Sequence, residues 1–196
     1  LAGIDAMTVT GTAQTPDGNG SHAWVVQNVD GENYFTDPTW GDCYESTVDY
    51  DFASHIYFLI NSEDIEKTHK PNNLYSFLKS NADKENYFVK EGLYFKEYNQ
   101  PDIRSAIKNS LENGENGIEL KFTDYEAYEK SKSVLFDNEN IYLILMSIDL
   151  FSGKLDSSKI SYSCNDTHNV ITIFYECWNK IYFFTIIVLT NKLVCA

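Results

Sequence analysis

The chain is short of positive charge. Its 15 Lys and Arg stand against 29 Asp and Glu, a formal net charge of −14, and Arg104 is the only arginine. A phosphate backbone or an anionic bilayer repels such a surface, so nucleic acid is excluded as a partner class. Cysteine is scarce too. Cys43, Cys164, Cys177 and Cys195 are the 4 present, and no two form a C-x-x-C pair, which argues against a zinc ribbon or a thioredoxin-like motif. No H-E-x-x-H occurs, and His55 and His69 are too far apart to share one helical turn, so no metal is expected. No Gly-rich phosphate loop is found, and no cofactor is expected. The most apolar run, residues 181–189, is too short to span a bilayer and is flanked closely by Lys180 and Lys192.

What is present argues for a folded globule. At 196 residues, with 43% hydrophobic and 15% aromatic content, the chain can bury one sizeable core or a small core plus an appendage. Residues 20–42 stand out. Val25, Val26 and Val29 suit a strand, Asp30-Gly31 is a hairpin turn, and Tyr34, Phe35 and Thr36 suit the returning strand. This hairpin carries one base, His22, and one acid, Asp37.

With Asp30-Gly31 as a two-residue loop, Val29 faces Glu32 and Asp37 falls opposite Trp24. Side chains alternate along a strand, so Asp37 shares a face with His22 and lies diagonal to it, about 7–8 Å away at the backbone end. Imidazole and carboxylate can close most of that gap. A carboxylate that accepts one ring N–H fixes the tautomer and frees the other nitrogen as a base. The plainer reading is a solvated histidine and an aspartate opening an Asp-Pro-Thr turn.

Gly3-Ile4, Thr8-Val9-Thr10-Gly11, Ser21-His22-Ala23-Trp24 and Asp37-Pro38-Thr39-Trp40 together resemble the second half of a transglutaminase-like, papain-like catalytic core of bacterial type. The resemblance covers roughly residues 1–73. It implies a Cys, His, Asp triad in that chain order, with His22 and Asp37 as its catalytic second and third members. The nucleophilic cysteine would precede Gly3, on a helix of which residues 1–4 are the last turn, and so falls outside this sequence. Trp24 and Trp40 are expected to pack around the pair as substrate-binding residues that exclude water. Cys43 is close to Asp37 in sequence but follows the histidine, against the family order, and is not expected to be the nucleophile.

The expected fold class is α+β. Residues 1–72 would form a partial transglutaminase-like core, an antiparallel sheet lacking the cysteine-bearing helix. Residues 73–178 would form an accessory α+β module, and residues 179–196 an apolar tail. In the core, residues 6–13 alternate as a half-buried strand with Met7 and Val9 inward, and residues 14–20 read as a turn-rich connector. Asn61 caps a helix ending near Pro71, with His69 at its C-terminal end. In the module, residues 87–98 read as a strand bent at Gly92. A helix opens at Pro101 and ends at Gly114, and a strand over 117–122 turns Ile118, Leu120 and Phe122 to one side. A capping box at Thr123 opens a helix to Phe136, residues 141–150 read as a buried strand, and a hairpin turns about 165–169. Tyr87, Phe88, Tyr94, Phe95 and Tyr98 are read as packing residues, with a carbohydrate- or peptide-binding surface as the alternative.

The resemblance implies a cysteine peptidase, amidase or protein cross-linking acyltransferase acting on a protein or peptide, cell-wall peptides included. The alternative is a transglutaminase-like scaffold or surface binding module that has lost its chemistry. Bacterial members are often secreted or surface-anchored, so an extracellular or cell-surface location is expected. The chain as it stands is expected to be inactive and, with its sheet partly uncovered, poorly soluble or partly disordered in its first half. Oligomeric state is not legible in the sequence.

Overall fold

The computed structural model describes residues 3–15, 18–42, 52–149 and 155–176. The fold class is α+β, built on two four-stranded sheets. The first is wholly antiparallel: β1 (Ala6–Thr15), β2 (Gly18–Val29), β3 (Glu32–Thr36) and β4 (His69–Pro71) lie in the order β3-β2-β1-β4. The second comprises β5 (Tyr94–Phe95), β6 (Gly117–Phe122), β7 (Ser161–Asn165) and β8 (Val170–Phe174), in the order β5-β6-β8-β7. Only β5 and β6 run parallel.

Residues 6–15 form β1 because apolar or small residues alternate with threonines. Val9, Gly11 and Ala13 are buried while Thr8, Thr10 and Thr12 face solvent. Met7, expected inward, sits on the inner face but remains 42% exposed. The β2–β3 turn has Asp30 at φ 55° and Gly31 at φ 89°, the left-handed pair that joins twisted strands by two residues. Val29 therefore pairs with Glu32, as expected. The connector read over 14–20 is instead the end of a second hairpin. Paired strands continue to Thr15 and Gly18, because the small residues at 18–20 tolerate extended backbone.

Gly11 is where two elements crowd one backbone position. A Cβ there would lie 2.2 Å from the carbonyl oxygen of Lys70 and 2.9 Å from Cη2 of Trp24. Only glycine lets β4 close against β1 while the Trp24 indole passes beneath.

The second half follows the sequence in its amphipathic parts. The helix Gln100–Asn113 is capped by Asn99, buries Ile103, Ile107 and Leu111, and stops at Gly114, φ 77°. The helix Tyr125–Phe136 has the expected bounds, but Asp124, not Thr123, caps it by accepting from the Ala127 N–H. Two expected strands are helical. Residues 87–98 form a short helix, Tyr87–Lys90, started by the Asn86 side chain and ended before Gly92 at φ 68°, then β5. Residues 140–149 form a helix, Asn140–Asp149, burying Ile141, Ile144 and Leu145 while Leu143 and Met146 stay exposed. That three-and-four spacing outweighs the β-branched content. The helix capped by Asn61 is real but covers only Ser62–Glu66, and His69 lies beyond it on β4. Of the five aromatic packing candidates, Phe88 and Phe95 are buried, Tyr87 and Tyr98 are half-buried and Tyr94 is 39% exposed.

One hydrophobic cluster joins Val9, Trp24, Phe35 and Ile65 to Phe88, Leu120, Phe122 and Ile171, so it crosses position 73. Strand β6, expected to bury alternate residues, is buried throughout, with Glu119 and Lys121 inside. Both reach into the first half. Glu119 accepts from the Ser54 hydroxyl at 2.6 Å and the His55 N–H at 2.8 Å, and the Lys121 ammonium donates to Asp64. Among the described residues no helix is long and apolar enough to cross a membrane. Cys43, Cys177, Cys195, the apolar run at 181–189 and the tail 179–196 lie outside the described residues.

Candidate functional site

The site forms where the β2–β3 hairpin opens towards β4. On β2, His22 shares its face with Trp24 and Val26 and pairs across to Gly11, the residue without a side chain. The ladder to β3 ends at the Val25–Thr36 pair, one position before Asp37. Asp37 thus does not face Trp24 as a strand residue. It leaves the sheet at φ −109° and ψ 97° to cap a single helical turn, Pro38–Gly41, in which Pro38 takes the favoured first position. Its own N–H donates to the Tyr57 carbonyl at 2.9 Å, anchoring it to the segment that also bridges Phe35 to Ile60.

Every acceptor direction of the Asp37 carboxylate is then used. Oδ1 accepts from the backbone N–H groups of Thr39 at 3.0 Å and Trp40 at 3.3 Å. Oδ2 accepts from Nε2 of His22 at 2.7 Å and from Nε2 of His69 at 3.0 Å. The acid read as a turn opener and the acid read as a histidine partner are one group serving both ends. Asp37 is 0% exposed, and burial pushes its carboxyl pKa up. The hydrogen bonds from His69 and His22 and the Trp40 N–H together outweigh burial and hold it below the usual carboxylate range.

An ionised carboxylate only accepts, so each ring must present Nε2–H to Oδ2. For His22 this leaves Nδ1 as the lone-pair nitrogen, and no hydrogen bond engages Nδ1 among the described residues. The His22 side chain is 19% exposed, while that of His69 is 0% exposed. His69 Nδ1 lies 2.8 Å from the Thr68 hydroxyl.

Aromatic rings wall the pair. Trp24, 1% exposed, stacks at 6.2 Å from the His22 ring and meets His69 edge-on at 4.9 Å. Trp40, half-buried, lies 5.7 Å from His22 and 4.6 Å from His69. Trp24 is thus beneath the site and Trp40 beside it.

His22, Trp24, Asp37 and Trp40 come together from the stretch that the sequence singled out. His69 joins them unannounced. A clue lay in Lys70-Pro71, since a residue before proline favours extended backbone, which places His69 on a strand and not at a helix end.

One donor atom from each of His22, Asp37 and His69 lies within 4.8 Å of the other two, a set that could hold a divalent ion. Metal–nitrogen and metal–oxygen bonds of about 2.0–2.2 Å place tetrahedral ligands roughly 3.3 Å apart. The 2.7 Å and 3.0 Å separations are hydrogen-bond lengths, and Oδ2 occupies the point on which both rings converge. The donor set as arranged fits shared protons better than an ion.

No protein-family model matches the chain, and a search of curated proteins finds no match.

Proposed function

We propose that this chain is the histidine- and aspartate-bearing half of a transglutaminase-like cysteine acyl-transfer core. The observation that carries the reading is the 2.7 Å bond from His22 Nε2 to the buried Asp37 carboxylate, which leaves Nδ1 of a part-exposed ring open. That is the arrangement a general base needs. In this reading a thiol from a segment preceding Gly3 gives its proton to Nδ1 of His22 and attacks an amide carbonyl. The imidazolium, stabilised by the ionised Asp37, returns the proton to the departing amine. Water or a second amine then resolves the thioester, giving hydrolysis or cross-linking.

Cys164 is the only cysteine among the described residues, and it does not suit the role. It sits half-buried on β7 beside Tyr128 and Lys132, and burial pushes its thiol pKa up. The substrate class is a protein or peptide amide, cell-wall peptides included, met outside the cell or at its surface. The half-buried Trp40 ring beside His22 offers an apolar wall for it.

The test uses the protein extended upstream through the thiol-bearing segment, assayed for acyl transfer from a peptide amide or activated ester. His22→Ala is expected to cut turnover by about 10²–10⁴-fold. Turnover equal to that of the unaltered protein removes His22 from the mechanism and leaves the scaffold alternative.

A further inference from the structure

We infer that His69 is a positioning residue for His22, acting through Asp37: its Nε2–H fixes the carboxylate oxygen that also holds Nε2 of His22, which keeps the His22 Nδ1 open to receive a proton. The catalytic consequence rests on the acyl-transfer reading above, while the structural relation does not.

Both rings bond one oxygen, Oδ2, at 2.7 Å and 3.0 Å. The groups that bond the carboxylate are His22 from β2, His69 from β4, and the backbone N–H groups of Thr39 and Trp40 from the turn Pro38–Gly41. No other titratable side chain bonds it among the described residues. A buried carboxylate with four donors spreads its charge over all of them. Without His69, Oδ2 keeps His22 as its one partner among the described residues, so the contact that sets which ring nitrogen of His22 carries the proton is free to shift. A His22 ring with its proton on Nδ1 has lost the lone pair the mechanism needs.

His69 is built to stay in place. Its ring is sealed from solvent and packed by Trp24, Trp40 and Tyr57, with the Tyr57 centroid 5.5 Å away. The Thr68 hydroxyl, 2.8 Å from Nδ1, can donate to the nitrogen left bare when Nε2–H points at Asp37. Strand β4 is registered on β1 by pairing Gly11 with Pro71 and Ala13 with His69. A histidine kept only for packing would need neither polar bond.

Two substitutions separate positioning from packing. In His69→Gln the amide nitrogen can take the place of Nε2 and still donate to Asp37, whereas His69→Leu fills space without a donor. The readout is nitrogen NMR of the histidine rings at pH 8 in this chain, with near-ultraviolet circular dichroism to verify that each variant is folded. The unaltered chain and His69→Gln should show His22 with a bare Nδ1. In His69→Leu, His22 should show a mixture of the Nδ1–H and Nε2–H tautomers. In the upstream-extended protein, kcat of His69→Leu should fall about tenfold with KM unchanged, and His69→Gln should restore it. A His22 spectrum that is the same in folded His69→Leu and the unaltered chain overturns the inference, as does a folded His69→Gln that behaves like His69→Leu. Expected spectra combined with His22→Ala turnover equal to that of the unaltered protein would refute the acyl-transfer reading while leaving the His69 relation standing.

Discussion

Acid should loosen this protein through His168 before it reaches the carboxylates. His168 is 0% exposed, donates from Nε2 to the Asp64 carbonyl at 3.1 Å, and has its pKa pushed down to about 4 by burial, which outweighs the Asp64 contacts. An unfolded histidine titrates near 6.5. Between those values the unfolded chain binds a proton that the folded chain refuses, so stability falls as pH drops through that window. The difference of about 2.5 units corresponds to a loss of about 2 kcal/mol at pH 5, approaching about 3 kcal/mol below pH 4. The Asp37 and Asp64 carboxyls, both held below their ordinary value, add their losses only at lower pH. The assay is urea unfolding at pH 7 and pH 5, comparing the unaltered chain with His168→Gln, which can keep a donor towards Asp64 but cannot titrate. The variant should lose most of the pH dependence. Equal losses in both proteins would assign the acid sensitivity to a group other than His168.

Other outcomes follow from the same contacts. Gly11→Ala places a Cβ 2.2 Å from the Lys70 carbonyl oxygen, so β4 must move; thermal unfolding should show a loss of roughly 2 kcal/mol or more, within the range for overpacking. Lys121→Met leaves Asp64 with Lys67 as its one cation among the described residues. Because Asp64 keeps 16% side-chain exposure, the loss in a denaturant titration should fall to about 2 kcal/mol, short of that for a fully buried pair. Zinc at tenfold molar excess should leave the melting temperature of the chain unchanged, since Oδ2 of Asp37 fills the point where an ion would sit. A clear rise on adding zinc would assign the three donors to a metal.

The sequence was most legible where one local signal dominated. Asp30-Gly31 set the turn and register of β2 and β3, and Asn61, Pro101 and Gly114 marked helix ends where they occur. It was least legible where packing decided. Residues 141–150 are apolar enough for a buried strand, and only the spacing of Ile141, Ile144 and Leu145 marks the helix. Residues 87–90 coil because Asn86 caps them and donates to the Leu59 carbonyl, a partner 27 positions away. In the site, alternation predicted a shared face for His22 and Asp37, but the short bond arises because Asp37 leaves the strand to cap a turn. His69 was hidden for the same kind of reason. Its place depends on β4 reaching β1 across Gly11, a long-range closure that no local pattern encodes.

In the proposed acyl-transfer reading His22, held by Asp37, activates a thiol. The most direct measurement is the rate at which that thiol is alkylated by iodoacetamide at pH 6, in the upstream-extended protein and its His22→Ala variant. A free cysteine, pKa about 8.5, is only about 0.3% thiolate at that pH. A thiol paired with an imidazolium is largely ionised there, so loss of His22 should slow alkylation by roughly a hundredfold. Equal rates in the two proteins would contradict the claim.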